Sequence, residues 1–165
     1  MGVNDGGSDP DQVADSVPAR QRTAHGHPGL VALIFLGGAL GTWCRAMLEN
    51  AAPAAPDGVP WVTLAINVTG SLLLGLLLES LARTGPDAGW RRGARLTLGT
   101  GVLGGFTTYS TFAVETVQRL TPATHFIGLA YAVGSVVLGV GAAATGYLVA
   151  RRVARDRNLR PEPRP

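Results

Sequence analysis

Four long stretches without a formal charge limit what this chain can fold into. Gly29–Cys44 has 16 such residues, Trp61–Leu78 has 18, Leu96–Val114 has 19 and Thr121–Ala150 has 30, with His125 taken as neutral. A helix that crosses the hydrocarbon of a bilayer needs roughly 20 apolar residues, within about 17 to 25. Arg45 lengthens the shortest stretch by snorkelling to the interface or by facing a polar cavity. A soluble helical bundle would show polar outer faces at helical period, whereas these stretches are apolar all round. The pattern predicts an all-α integral membrane protein of four spans, at about 29–49, 60–82, 93–118 and 122–151.

The links between the stretches carry turn chemistry. Asn50 to Pro60 holds Pro53, Pro56 and Pro60 and cannot be helical throughout. Gly85-Pro86-Asp87 is a turn signal, and Arg119 to Pro122 closes the third gap. Outside the spans, residues 1–27 and 154–165 are polar and rich in Pro, Gly, Asp or Arg, and are expected to be disordered cytoplasmic tails flanking a channel domain at 28–153. No apolar run follows Met1, so no signal peptide is expected there.

Charge gives the orientation. The formal charge is +3 and the isoelectric point is near 9.7, which by itself would suit nucleic acid. All 14 basic residues are arginines, however, and most flank apolar runs, so no nucleic-acid partner is expected. With four spans, both termini and the middle loop share one side. That side holds 12 arginines, and only Arg45 and Arg119 lie on the other. The bias predicts a multi-pass protein of the cell membrane with both termini cytoplasmic. Cys44 is the single cysteine, which excludes an internal disulfide, and its place beside Trp43 suggests packing.

Polar groups inside a membrane are costly and often functional. In the first span, Gly37, Gly41 and Arg45 share one face, which suits close helix packing with Arg45 as interfacial anchor or as a source of positive potential. In the second, Thr63, Asn67 and Ser71 form a polar stripe at four-residue spacing. Asn67 has two N–H donors to satisfy, either by an interhelical hydrogen bond or by lining an anion path. In the third, Gly104-Gly105-Phe106-Thr107-Thr108 predicts a break in the helix, followed by Tyr109, Ser110, Thr111 and Phe112. Such a break frees backbone carbonyls, which suit a hard cation. Glu115 lies just past it and can bond to hydroxyls or solvent. In the fourth, Tyr131, Ser135 and Gly139 repeat at four-residue spacing, extending a polar track or packing with satisfied hydroxyls. His125 has no partner at metal-ligand spacing. No paired nucleophile and base can be assembled, so an enzyme is not expected.

Three motifs resemble those of the small fluoride channels, the Fluc or CrcB family. They are Gly37-Gly38-Ala39-Leu40-Gly41-Thr42-Trp43-Cys44-Arg45, then Asn67-Val68-Thr69-Gly70, and Gly101 to Phe112 with Glu115. Tyr131 and Ser135 match a pair in the fourth span, and the resemblance covers about Gly29 to Arg152. It implies an antiparallel, dual-topology dimer with two fluoride paths along the subunit interface. It implies that Asn67 faces the path, that Tyr109 and Phe112 present ring edges to the ion, and that Tyr131 and Ser135 sit nearby. Thr108, Ser110 and Arg45 are further candidates for the path. It also implies a central, structural sodium ion, not transported, held by the backbone carbonyls of Gly104 and Thr107 from both subunits. The family often carries phenylalanine where this chain has Tyr109.

The implied function is passive export of fluoride, relieving its toxicity, through a subunit embedded in lipid. The dimer partner is then either a second copy of this chain or an oppositely oriented paralogue, and the arginine bias points to the paralogue, because a chain that inserts both ways needs balanced flanks. Two rivals stand against this. A small four-span proton-coupled exporter needs an embedded carboxylate, and the first span has none before Glu49. A non-transporting structural membrane protein has no need of the polar run in the third span.

Overall fold

The computed structural model describes residues 28–55 and 58–158, and every regular element among them is helical. Helix α1 is Pro28–Ala51 and α2 is Trp61–Arg83. Helix α3 covers 89–106 in three parts: a first turn Gly89–Ala94, a wider-wound π-helical stretch Arg95–Leu103, and a last turn Gly104–Phe106. After a break comes α4, Ser110–Arg119, and then α5, His125–Asn158. Among the described residues, three helices are long and apolar enough to cross a membrane: α1, α2 and α5, the last over His125–Asp156. The third apolar stretch is divided between α3 and α4, and the uncharged part in each, 96–106 and 110–114, is too short to cross alone. The expected tail at 1–27, and residues 159–165 of the one expected at 154–165, lie outside the described residues. Helix α5, by contrast, continues to Asn158, into the stretch expected to be a solvated tail.

The helices pack as two pairs. Helix α1 lies on α3, α2 lies on α5, and α4 packs on α5. Glycines set the distance in both main contacts. A Cβ on Gly41 would strike the carbonyl of Val102, and one on Gly105 would strike that of Gly38. Across the other pair, a Cβ on Gly75 would meet the Ala143 carbonyl and one on Gly146 the Leu72 carbonyl. Backbones approach this closely only where side chains are absent, which is how apolar helices gain packing without a hydrophobic driving force. The contacts advance in step: Gly37 faces Thr97 and Val102 while Gly41 faces Val102 and Phe106, and Ser71 faces Gly139 while Gly75 faces Ala143. Each pair therefore runs parallel, as the first with the third and the second with the fourth element of an up-and-down arrangement must.

The break falls later than the sequence suggested. Gly104 and Gly105 remain helical, and the chain leaves the helix at Thr107, which is extended at φ −75° and ψ 157°. Helix resumes at Ser110 after Tyr109 returns to helical angles. The reason lies in packing. The glycine pair serves the approach of α3 to α1, where Gly105 meets Gly38. What ends the helix is competition for the next amide, described below. Cys44 is half-buried.

Candidate functional site

The break is held open by one side chain. The Thr108 N–H, which would continue α3 by donating to the Gly104 carbonyl, donates instead to Asn67 Oδ1 at 2.8 Å. Asn67 Nδ2 in turn donates to the Thr108 carbonyl at 2.9 Å. The asparagine amide thus pairs with both backbone groups of one residue, as a neighbouring strand would. Satisfied backbone groups are the condition for an irregular segment within an apolar bundle. Nearby, Thr107 Oγ1 bonds back to the Leu103 carbonyl at 2.9 Å, and Thr108 Oγ1 accepts the Thr111 N–H at 3.1 Å, starting α4. Gly70 makes room, because a Cβ there would collide with the Thr107 methyl.

A groove of about 320 Å³ opens beside the break, between α2, α3, α4 and α5. Asn67, Thr107, Thr108, Tyr109, Phe112 and Ser135 line it, with Gly104 at its α3 side. The lining carries no carboxylate and no arginine. Ser135 Oγ is buried and has no hydrogen-bond partner among the described residues. Tyr109 is 81% exposed in the single chain, and its ring lies 6.0 Å from that of Phe112. Phe112 lies 5.4 Å from the Tyr131 ring, tilted at 48°.

Three expected residues fall outside this lining. Tyr131 is buried behind Phe112 and donates its hydroxyl to Glu115 Oε2 at 2.8 Å. Ser110 is exposed, with its hydroxyl 3.3 Å from Thr108 Oγ1. Arg45 sits on α1, which packs on α3 and scarcely on α2, so its helix holds it away from the groove. Its Nε donates to the Gly105 carbonyl and its Nη1 pairs with Glu49 at 3.1 Å.

A second cluster carries the structure past the break. The Glu115 carboxylate accepts Thr63 Oγ1 at 2.9 Å on one oxygen and Tyr131 on the other. Both donors are hydroxyls from the flanking helices, so α4 is tied to α2 and α5 by this single acid. One turn on, Arg119 is 3% exposed and its guanidinium donates to three carbonyls, of Gly58, Ala55 and Glu115. The sequence had marked Arg119 only as a flanking charge. Its place in the last turn of a helix was the available signal, since basic side chains there bond free carbonyls.

The family described as CrcB-like protein, Camphor Resistance (CrcB), matches residues 32–147. The chain is 53% identical over 112 residues to a protein of Cutibacterium acnes named fluoride-specific ion channel FluC 1, covering 68% of this chain and 78% of that one. It is 44% identical over 135 residues to fluoride-specific ion channel FluC 2 of Leifsonia xyli subsp. xyli, covering 82% and 92%. It is 47% identical over 122 residues to fluoride-specific ion channel FluC of Deinococcus radiodurans, covering 73% and 94%. An all-helical bundle of apolar helices around a polar break is the form of a multi-pass membrane channel. The chain belongs to the CrcB family of fluoride-specific channels.

Proposed function

We propose that this chain is a subunit of a fluoride-selective channel that passively exports fluoride across the cell membrane, and that the groove at the break is its anion path. The observation that carries the reading is the groove lined by Asn67, Tyr109, Phe112 and Ser135, with the Ser135 hydroxyl buried and without a partner among the described residues. Fluoride is small and strongly hydrated, so a path must replace its water with donors. Ser135 Oγ–H is available, and Asn67 keeps a second amide N–H beyond the one given to Thr108. The rings of Tyr109 and Phe112 add electropositive edges. The acid nearest the path, Glu115, has both oxygens occupied by hydroxyl donors, which limits its repulsion of an anion.

One chain forms one wall. Tyr109 and Gly104 are exposed at the groove, and an antiparallel second subunit would close it. Gly104 and Thr107 suit a structural sodium ion. The Thr108 amide that would cap the Gly104 carbonyl is taken by Asn67, so this oxygen is free for a hard cation at the subunit interface. When bound, such an ion supplies fixed positive charge beside the anion path. The 12-to-2 arginine bias supports a partner that is an oppositely oriented paralogue, with both termini of this chain cytoplasmic.

Fluoride-electrode recordings on liposomes holding the purified chain, with chloride as control, test this reading. Selective fluoride efflux is expected once the paralogue is co-reconstituted, with weak flux from this chain alone. Absence of fluoride efflux from the pair would contradict the channel. Strong flux from this chain alone would contradict only the paralogue.

A further inference from the structure

The turn between α2 and α3 carries a second built feature, away from the groove. A pocket of about 340 Å³ is lined by Leu78, Leu81 and Ala82 on its apolar side and by Gly85, Asp87, Arg91 and Arg95 on its polar side. Arg91 is fixed in place. Its Nε donates to the Pro86 carbonyl at 2.8 Å and its Nη1 to the Thr84 carbonyl at 3.3 Å. The guanidinium lies flat on Gly85, where a Cβ would come within 3.2 Å of Arg91 Cζ, and Gly85 itself has φ +131°. Only glycine permits both the turn and this seat for the guanidinium.

The charge around the pocket is unbalanced. Arg83 pairs with Glu79 at 2.6 Å and Arg95 with Asp87 at 2.7 Å. Arg91 and Arg92 have no carboxylate partner among the described residues. Arg91 Nη2 makes no hydrogen bond there, although the rest of the fork is held. Trp90, 65% exposed, stands beside Arg91 with its ring centroid 5.8 Å from Cζ. An exposed tryptophan next to arginines, at the end of an apolar helix, marks the level of lipid headgroups.

We propose that this pocket binds the phosphate headgroup of an anionic phospholipid, with Arg91 as the phosphate ligand and the first acyl carbons against Leu78 and Leu81. A pre-oriented guanidinium suits phosphate better than a flexible ammonium, because its planar fork loses less freedom on binding. The adjoining leucines distinguish a lipid from a free phosphate. Basic pockets at the ends of membrane helices hold anionic headgroups in this way.

The test uses the full chain in detergent micelles, titrated with phosphatidylglycerol and with phosphatidylcholine of the same acyl chains, and read by native mass spectrometry. Phosphatidylglycerol is expected to be retained in preference, and Arg91→Gln to reduce that preference about fivefold, the share of one surface arginine. Ala82→Trp, which fills the pocket without touching a charge, should reduce it as well. The paired change Arg151→Gln with Arg152→Gln, away from the pocket, should leave it intact. Equal retention of the two lipids overturns the proposal. So does a preference that survives Ala82→Trp, which decides the matter even if Arg91→Gln fails to fold. Displacement of phosphatidylglycerol by excess inorganic phosphate would make this a free-anion site and overturn the lipid assignment.

Discussion

The two halves of the broken element are held by opposite means. Helix α3 is apolar, glycine-rich and wound wide through Arg95–Leu103, and its contact with α1 is backbone against backbone at Gly37, Gly41, Gly101 and Gly105. Helix α4 is short and amphipathic, and side chains bind it: Glu115 to Thr63 and Tyr131, Arg119 to the carbonyls of the α1–α2 link. The first mode tolerates no added atoms and the second no missing ones. The break lies where one mode gives way to the other, and Asn67 bridges it by pairing with both the N–H and the C=O of Thr108. The groove inherits its polar lining from this junction.

The largest expected effect is on the α3 side. Gly41→Val drives a side chain into the Val102 backbone carbonyl, which cannot yield, so it should cost well beyond the about 1–3 kcal/mol of ordinary overpacking and abolish the fold, read as loss of the folded species by gel filtration. An unchanged elution profile would show that α1 can move away from α3, against the close-contact account. Next, Asn67→Leu leaves the Thr108 N–H and C=O without their partners, at about 1–3 kcal/mol per group. Thermal unfolding in micelles should fall markedly, and fluoride efflux with it.

Ser135→Ala separates the groove from the scaffold. Because Ser135 Oγ has no hydrogen-bond partner among the described residues, its removal should change stability by less than about 0.5 kcal/mol, yet slow fluoride efflux. A loss of stability with efflux unchanged would reverse its assignment. The smallest effect concerns the α2–α3 turn. The Arg95 guanidinium bonded to Asp87 holds its carboxyl below the ordinary carboxylate range. A depressed carboxylate stabilises the fold above its unfolded pKa, and that contribution is lost as pH falls through the folded value. Asp87 is exposed, so Asp87→Asn should only slightly flatten the acid limb of an unfolding curve and leave the rest unchanged.

Much of this was legible in the residues, for a physical reason. Uncharged stretches report the solvent around a helix, so α1, α2 and α5 followed directly from Gly29–Cys44, Trp61–Leu78 and Thr121–Ala150. The position of the break did not. Glycine pairs mark both weak helix and close packing, and Gly104-Gly105 serves packing while Asn67 ends the helix by pairing with Thr108, 41 positions away. The polar stripe of Thr63 and Asn67 was visible, but its division of labour was not, because Thr63 meets Glu115 and Asn67 meets Thr108 across more than 40 residues. Tyr131 and Ser135 share a helical face yet differ in role, one bonded inward and one left open.

The account stands or falls on whether the groove beside the break carries the ion. Phe112→Ala takes one ring edge from that groove and breaks no hydrogen bond made by its side chain, so it is the cleanest probe. Fluoride efflux should be measured with an electrode on liposomes holding the variant together with the oppositely oriented paralogue, after gel filtration has shown assembly equal to that of the unmodified pair. Abolished efflux with assembly intact is the predicted result. Efflux at the unmodified rate would contradict the assignment of the groove as the anion path.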